Sequence, residues 1–398
     1  MNAGTPSGRI PAASALRRSR PDRHLCVVSH RLPVTYTPDL GWERSPGGLV
    51  SALDPALRDR PALWFGHANA DDPDPPPGRG KTQYRVLRLG RERSVRAIDG
   101  ACNRSLWPAL HGIVERIEQD DSWWAAYADL AATNARHIAT VAPSGSIVWV
   151  HDYHHILLAD ELRRRRPDLR LGFFFHTPVD AAGLAELHIA DRLATALGRY
   201  HVVGTQTPGD ADEVAQFVES HGGDLPPTLR SIPVGFDVAR WSEFRNDPVV
   251  DALARRHGAP GGLLAVGVDR ADYTKGLPTK LVAIERLLDD GRLHPDEFRL
   301  VQIATRTRAG IGAYDEMLAE IRRSAARVNE AHRRSDGEPV VRLITEPHPP
   351  REVAALMRAS DMALVTPIRD GMNLVAFEYA ALNADRPTAL VLGQGAGA

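Results

Sequence analysis

Arg270 and Lys275 lie five residues apart in Val266-Gly267-Val268-Asp269-Arg270-Ala271-Asp272-Tyr273-Thr274-Lys275-Gly276-Leu277, between an apolar run and the start of a helical pattern. One loop can therefore bring both cations to a single phosphate or diphosphate. The guanidinium offers a planar fork of donors and the ammonium a compact point charge. A second stretch, Arg369-Asp370-Gly371-Met372-Asn373-Leu374-Val375 with Glu378 three residues on, carries complementary chemistry. Met362-Ala363-Leu364-Val365-Thr366-Pro367 reads as a short strand closed by proline, and Asn373 to Asn383 as a helix. A chain turning through Gly371 between them leaves unpaired N–H groups and the positive end of the helix dipole at the strand's C-terminal edge. Anionic or polyhydroxyl ligands bind at such places. Asp370 and Glu378 would flank the opening as acceptors for sugar hydroxyls. Taken alone, the same residues also fit an ordinary strand–turn–helix with an exposed acid.

Further motifs precede these two. They are Ser29-His30-Arg31-Leu32-Pro33-Val34, Trp42-Glu43-Arg44-Ser45-Pro46-Gly47-Gly48-Leu49-Val50, Leu63-Trp64-Phe65-Gly66, Asn103-Arg104-Ser105-Leu106-Trp107-Pro108-Ala109-Leu110-His111, Val150-His151-Asp152-Tyr153-His154 and Gly172-Phe173-Phe174-Phe175-His176. With the two stretches above, they resemble, in order, the motifs of the retaining, family 20 type glycosyltransferases that make trehalose 6-phosphate from a nucleotide sugar and glucose 6-phosphate. The resemblance runs from about Cys26 to the last residue.

That resemblance implies roles for matching positions. Glu378 would accept from the ribose hydroxyls. Asp370 and the backbone from Gly371 through Met372, Asn373 and Leu374 to Val375 would hold the donor glucose and diphosphate. Gly48 would let an N-terminal loop approach the donor, since a side chain there would collide. Asp152 would bind acceptor hydroxyls and His176 would sit beside the transferred sugar. Arg31 and Arg308 would clamp the acceptor phosphate, with Trp107 packed against the acceptor. The implied partners are a nucleotide-glucose donor (UDP-, GDP- or ADP-glucose) and glucose 6-phosphate. The implied route is a front-face transfer without metal or other cofactor, in which Arg270 and Lys275 stabilise the departing diphosphate. His151, His154 and His155 could suggest a metal site, but they end a strand and no carboxylate-rich loop accompanies them.

Departures concentrate on the acceptor side. Two tyrosines usual in the family are replaced by Ala97 and Ile98, which cannot donate a hydrogen bond. Thr177-Pro178-Val179-Asp180 stands for a Pro-aromatic-Pro loop, and Asp180 would disfavour a phosphate should it face that site. His30 replaces an asparagine and Phe377 a lysine. These changes keep two alternatives open: a related transferase with another phosphorylated acceptor, such as a polyol or aminocyclitol phosphate, and a catalytically silent sugar-phosphate-binding homologue.

The elements that must position these residues read as α/β. Apolar runs at Leu25–Ser29, Ala62–Phe65, Ser146–Val150, Arg170–His176, His201–Thr205 and Leu229–Pro233 alternate with helical patterns, and so do Leu263–Val268, Phe298–Ala304, Val340–Thr345, Met362–Thr366 and Thr388–Leu392. Such alternation marks parallel sheets covered by helices. Two Rossmann-like domains facing across a cleft (GT-B) are expected. Residues 1–24 would be a disordered tail, 25–235 the acceptor domain and 236–398 the nucleotide-sugar domain, with a hinge near Pro233–Asp237. The family continues through further helices after the last strand, so the second domain is expected to lack its final helices. Asp72–Lys81 reads as a surface loop.

Composition agrees with this class. The 398 residues are 43% hydrophobic and 25% charged, enough for two full cores. A formal net charge of −1 gives no electrostatic case for nucleic acid or an acidic membrane. Arg163-Arg164-Arg165-Arg166 fits the C-terminal end of a helix just before Pro167. Two cysteines suit a reducing cytoplasm, and no apolar run reaches transmembrane length. A homo-oligomer is compatible with the sequence.

Overall fold

The computed structural model describes residues 24–45, 48–57, 59–257, 262–308 and 310–398. The tail expected over 1–24 lies outside them apart from His24. The strands are β1 (Leu25–Arg31), β2 (Val34–Thr37), β3 (Gly41–Arg44), β4 (Ala62–Asn69), β5 (Gly78–Arg79), β6 (Thr82–Leu89), β7 (Ile147–His151), β8 (Arg170–Phe174), β9 (Val202–Thr205), β10 (Leu229–Ser231), β11 (Leu263–Arg270), β12 (Phe298–Thr305), β13 (Val341–Ile344), β14 (Met362–Val365) and β15 (Ala389–Leu392).

Two sheets organise the chain. The first has the order β10-β9-β8-β7-β1-β4-β6-β5, parallel except for β5, and the second the order β13-β12-β11-β14-β15, parallel throughout. The chain is α/β, with the two-Rossmann architecture of GT-B enzymes. Helices cover the sheets, which is why β1 and β11 have unbroken buried runs at their centres instead of alternation. In the first sheet the order turns back at β1, between β7 and β4. In the second it turns back at β11, between β12 and β14. Ligands bind beside such switch points, at the strands' C-terminal ends. Each apolar run expected to be a strand is one. The β2–β3 hairpin and β6 were not anticipated, and Asp72–Lys81 contributes the two-residue β5.

A buried polar cluster ties three strands of the second sheet together. Lys280 Nζ donates to Asp269 Oδ2 at 3.2 Å, Gln302 Oε1 at 3.0 Å and the Leu364 carbonyl at 3.0 Å. Both charged side chains are under 5% exposed, so removing one leaves the other buried and unpaired. Lys280→Met is expected to cost roughly 3–5 kcal/mol and to lower Tm by on the order of 10 °C. A calorimetric scan checks this, and an unchanged Tm would show that the cluster contributes nothing. No helix among the described residues is long and apolar enough to cross a membrane.

Candidate active site

Strands β11 and β14 are neighbours, with Ala265 opposite Met362, so the residues after each reach the same corner. Beyond β11 a short turn, Tyr273–Lys275, ends at Gly276 with φ 63°. A Cβ there would lie 2.5 Å from the Thr366 carbonyl, so the turn can press onto the end of β14 only with glycine. This places Lys275 Nζ 2.5 Å from Asp370 Oδ2, and Asn373 Nδ2 donates to the same oxygen at 2.9 Å. Burial opposes ionisation of Asp370, but Lys275 and Asn373 outweigh it and hold the carboxyl below its usual range. Asn373 immediately precedes the helix Leu374–Leu382, yet its side chain does not cap it. The helix's first N–H groups therefore lack that partner beside an ammonium, a setting for an anion.

Asp272 links this corner to a third cation. Its carboxylate is buried: Oδ1 accepts from Thr274 N and Oγ1, while Oδ2 lies 3.7 Å from Arg270 and 3.3 Å from Arg308. Burial opposes its charge, and Arg308, Arg270 and Lys275 together hold it below the usual carboxylate range. Sequence reasoning missed this hub, although Asp272 stands within the Arg270–Lys275 loop.

Arg308 belongs to a buried cage, not to an open solvated face. It has φ 45°, donates to Tyr153 Oη at 3.0 Å, contacts Tyr314 Oη, and lies 3.8 Å from the Trp107 ring centre. Arg270 lies 5.5 Å from the same ring. Trp107 Nε1 is buried without a protein partner. Arg31, the last residue of β1, lies in the fields of Arg308, Tyr153 and Asp99. Arg306, by contrast, pairs with Asp315 at the surface.

Asp152 follows β7 with φ 69°, a left-handed conformation rare outside glycine. Its Oδ1 accepts from His176 N at 3.2 Å and from Thr177 Oγ1 at 3.4 Å, across the ends of β7 and β8. Burial pushes its carboxyl up to about 6 despite these donors. His176 Nε2 lies 2.9 Å from His151 Nδ1, and burial lowers His176 to about 4, so the ring is neutral at pH 7. The halves meet directly here: a Cβ on Gly371 would lie 2.5 Å from the His176 carbonyl oxygen.

Burial pushes Glu378 up to about 7, with only Arg240 opposing. The carboxyl therefore holds its proton further up the pH scale than an exposed glutamate, a stabilisation full below about 4.5 and lost as pH rises through about 7. If ribose hydroxyls rest on Glu378, as the resemblance implies, binding favours the carboxylate instead. Donor affinity is therefore expected to strengthen several-fold between pH 6 and 8, and Glu378→Gln to remove that dependence. A titration of nucleotide affinity against pH decides; a flat wild-type profile would put the ribose elsewhere.

Other expected positions divide. Met372, Leu374 and Val375 stand around the start of the helix above. Gly48 opens the helix Gly48–Leu57, but Pro46 and Gly47 lie outside the described residues, and so does their loop's approach. Ala97 and Ile98 are buried in the apolar core. Asp180 caps the helix Ala181–Ala185 and pairs with Arg369, so its charge is already engaged. The histidines His30, His67, His154 and His155 form a ring-contact cluster, His30 stacked on His154 at 4.3 Å. Among the described residues no group of three or more His, Cys, Asp or Glu could hold a metal ion.

The family model for glycosyltransferase family 20 matches residues 23–398. Trehalose-6-phosphate synthase of Mycobacterium marinum is 35% identical over 427 aligned positions, covering 99% of this chain and 85% of the relative. A solved E. coli structure bound with UDP-2-fluoro glucose aligns at TM-score 0.84 and 27% identity, covering 94% of this chain and 85% of that one. An α,α-trehalose-phosphate synthase (UDP-forming) from Burkholderia xenovorans, in complex with glucose-6-phosphate, aligns at TM-score 0.82 and 27% identity over 94% of this chain and 86% of that one.

Proposed function

The chain belongs to glycosyltransferase family 20, and we propose that it moves glucose with retention from UDP-, GDP- or ADP-glucose to glucose 6-phosphate, forming α,α-trehalose 6-phosphate. The observation that carries this reading is the meeting of two chemistries across one cleft. A Lys275–Asp370–Asn373 cluster at a helix N-terminus lies on one side, and Asp152 with His176 on the other. Relatives solved with a UDP-glucose analogue and with glucose-6-phosphate support the same assignment.

In the proposed reaction the bond from the anomeric carbon to the diphosphate oxygen breaks, and a bond to the acceptor hydroxyl oxygen forms on the same face. The hydroxyl proton passes to the departing phosphate oxygen. Arg270 and Lys275 stabilise the charge that grows on the diphosphate, and the first N–H groups of Leu374–Leu382 add the helix dipole. Asp152 orients the acceptor hydroxyls, and neutral His176 stands beside the transferred sugar. Arg31 and Arg308 hold the acceptor phosphate, and Trp107 packs against the acceptor. Residues 25–235 would thus carry the acceptor and 236–398 the donor.

The test is incubation of the purified chain with glucose 6-phosphate and each nucleotide glucose, with and without a chelator. Proton NMR reads the linkage. An α,α-linked product formed in both conditions is expected, and no product with any donor would sink the proposal. A second reading, transfer to another phosphorylated acceptor, is favoured by buried Ile98 and by Asp99 in the field of Arg31. Turnover with a polyol or aminocyclitol phosphate, and none with glucose 6-phosphate, would select it.

A further inference from the structure

Arg369 opens the donor-side loop, and its guanidinium crosses the cleft. Nη1 donates to Asp180 Oδ2, and Nη2 to the Val179 carbonyl at 2.5 Å. The receiving loop is braced from behind. Val179 N donates to Asp210 Oδ1 at 3.0 Å, and Ala181 N to Glu213 Oε2 at 2.7 Å, both acids standing on the helix Pro208–Ser220. Asp180 Oδ1 accepts from Gly183 N at 2.7 Å, which fixes the carboxylate and leaves Oδ2 for Arg369. Gly112, with φ 67°, makes room: a Cβ there would lie 2.8 Å from Asp180 Oδ2. Two residues after Arg369, Gly371 presses against the backbone of His176, Thr177 and Pro178.

We propose that Asp180 and Arg369 form a latch between the two halves, and that Asp180 is a positioning residue for the loop carrying Asp370. The pre-set carboxylate and carbonyl receive both arms of the guanidinium, a two-point contact that fixes direction as well as distance. With Arg369 held, Asp370 and its partner Lys275 face the His176 side of the cleft. Without it, the loop keeps its attachment to its own domain but loses its register with the other. The side chains are 28% and 21% exposed, so the latch is partly shielded and still sensitive to salt. Its catalytic consequence rests on the donor-binding function proposed above; the latch itself does not.

Asp180→Asn separates latch from cap, because the amide oxygen still accepts from Gly183 N while the ionic partner is lost. Cys26 and Cys102 are buried, so spin labels on Asp191→Cys and Glu330→Cys report the separation of the halves in the full chain. Asp180→Asn and Arg369→Gln are each expected to broaden that distance distribution and to weaken UDP binding about tenfold. The double variant should be no worse than either single one. Distances unchanged by Asp180→Asn, or effects that simply add, would overturn the latch. If the distances respond while the parent binds no UDP, GDP or ADP, the latch stands and the nucleotide-sugar reading falls.

Discussion

Lys275→Ala is expected to lower kcat on the order of 10²–10³, with Arg270→Ala close behind. Lys275 is enclosed, with its ammonium 2.5 Å from Asp370 Oδ2. The pair neutralises both groups. In the proposed reaction a diphosphate gains charge as it leaves, and an ammonium already oriented strengthens its hold as that happens. Such an interaction grows toward the transition state, so its loss appears in kcat and kcat/KM together. Arg270 has a half-exposed side chain 3.7 Å from Asp272. It can swing toward the diphosphate, but starts less fixed. Single-turnover rates with saturating donor measure the effect directly. A rise in donor KM with unchanged kcat would reduce both cations to ground-state anchors, and near-normal turnover would remove their role.

The chemistry of each loop was legible because it is local. Arg270 and Lys275 share one turn, and Asp370 and Asn373 share another, so spacing alone keeps each pair together; Asp272, between the two cations, was missed because nothing local shows that its carboxylate is buried. The apolar runs were legible for a similar reason, since strands buried on both faces must be continuously apolar. Their ends were not. β11 pairs with β12 as far as Arg270 opposite Thr305, two residues beyond the apolar run, because ladder bonds continue where side chains turn polar to meet the cleft. β6, Thr-Gln-Tyr-Arg-Val-Leu-Arg-Leu, mixes buried and exposed positions near the sheet edge. Its pattern is weaker than that of a central strand.

Contacts across the cleft were not legible from spacing, and only the family resemblance grouped Arg308 with Arg31 and Trp107. Arg308 meets Tyr153 at a separation of 155 residues, and Arg369 meets Asp180 at 189. Nothing near either arginine encodes its acceptor; only the packing of one half on the other does. The same holds for Asp180. As a sequence departure it suggested repulsion of a phosphate, whereas the fold spends that charge on a helix cap and on Arg369.

Arg308→Ala is expected to raise the acceptor KM roughly 10- to 150-fold, the equivalent of one charge-assisted hydrogen bond, with donor KM little changed. It should also destabilise the fold by roughly 3–5 kcal/mol. Both effects follow from one geometry. Arg308 is the closer of the two guanidiniums on buried Asp272, at 3.3 Å against 3.7 Å for the more exposed Arg270. Removing it takes the nearer cation from that buried carboxylate, leaving Thr274 and the more distant Arg270, and takes one partner from the hydroxyls of Tyr153 and Tyr314. Instability alone would lower activity without selectivity, so Arg308→Lys is the sharper variant. Lysine keeps a charge near Asp272, but loses the planar fork and the stacking on Trp107, 3.8 Å away. Stability should then recover in large part while the acceptor KM stays high. A lysine variant with a normal acceptor KM would make Arg308 a structural counter-ion to Asp272, and would move the acceptor phosphate toward Arg31.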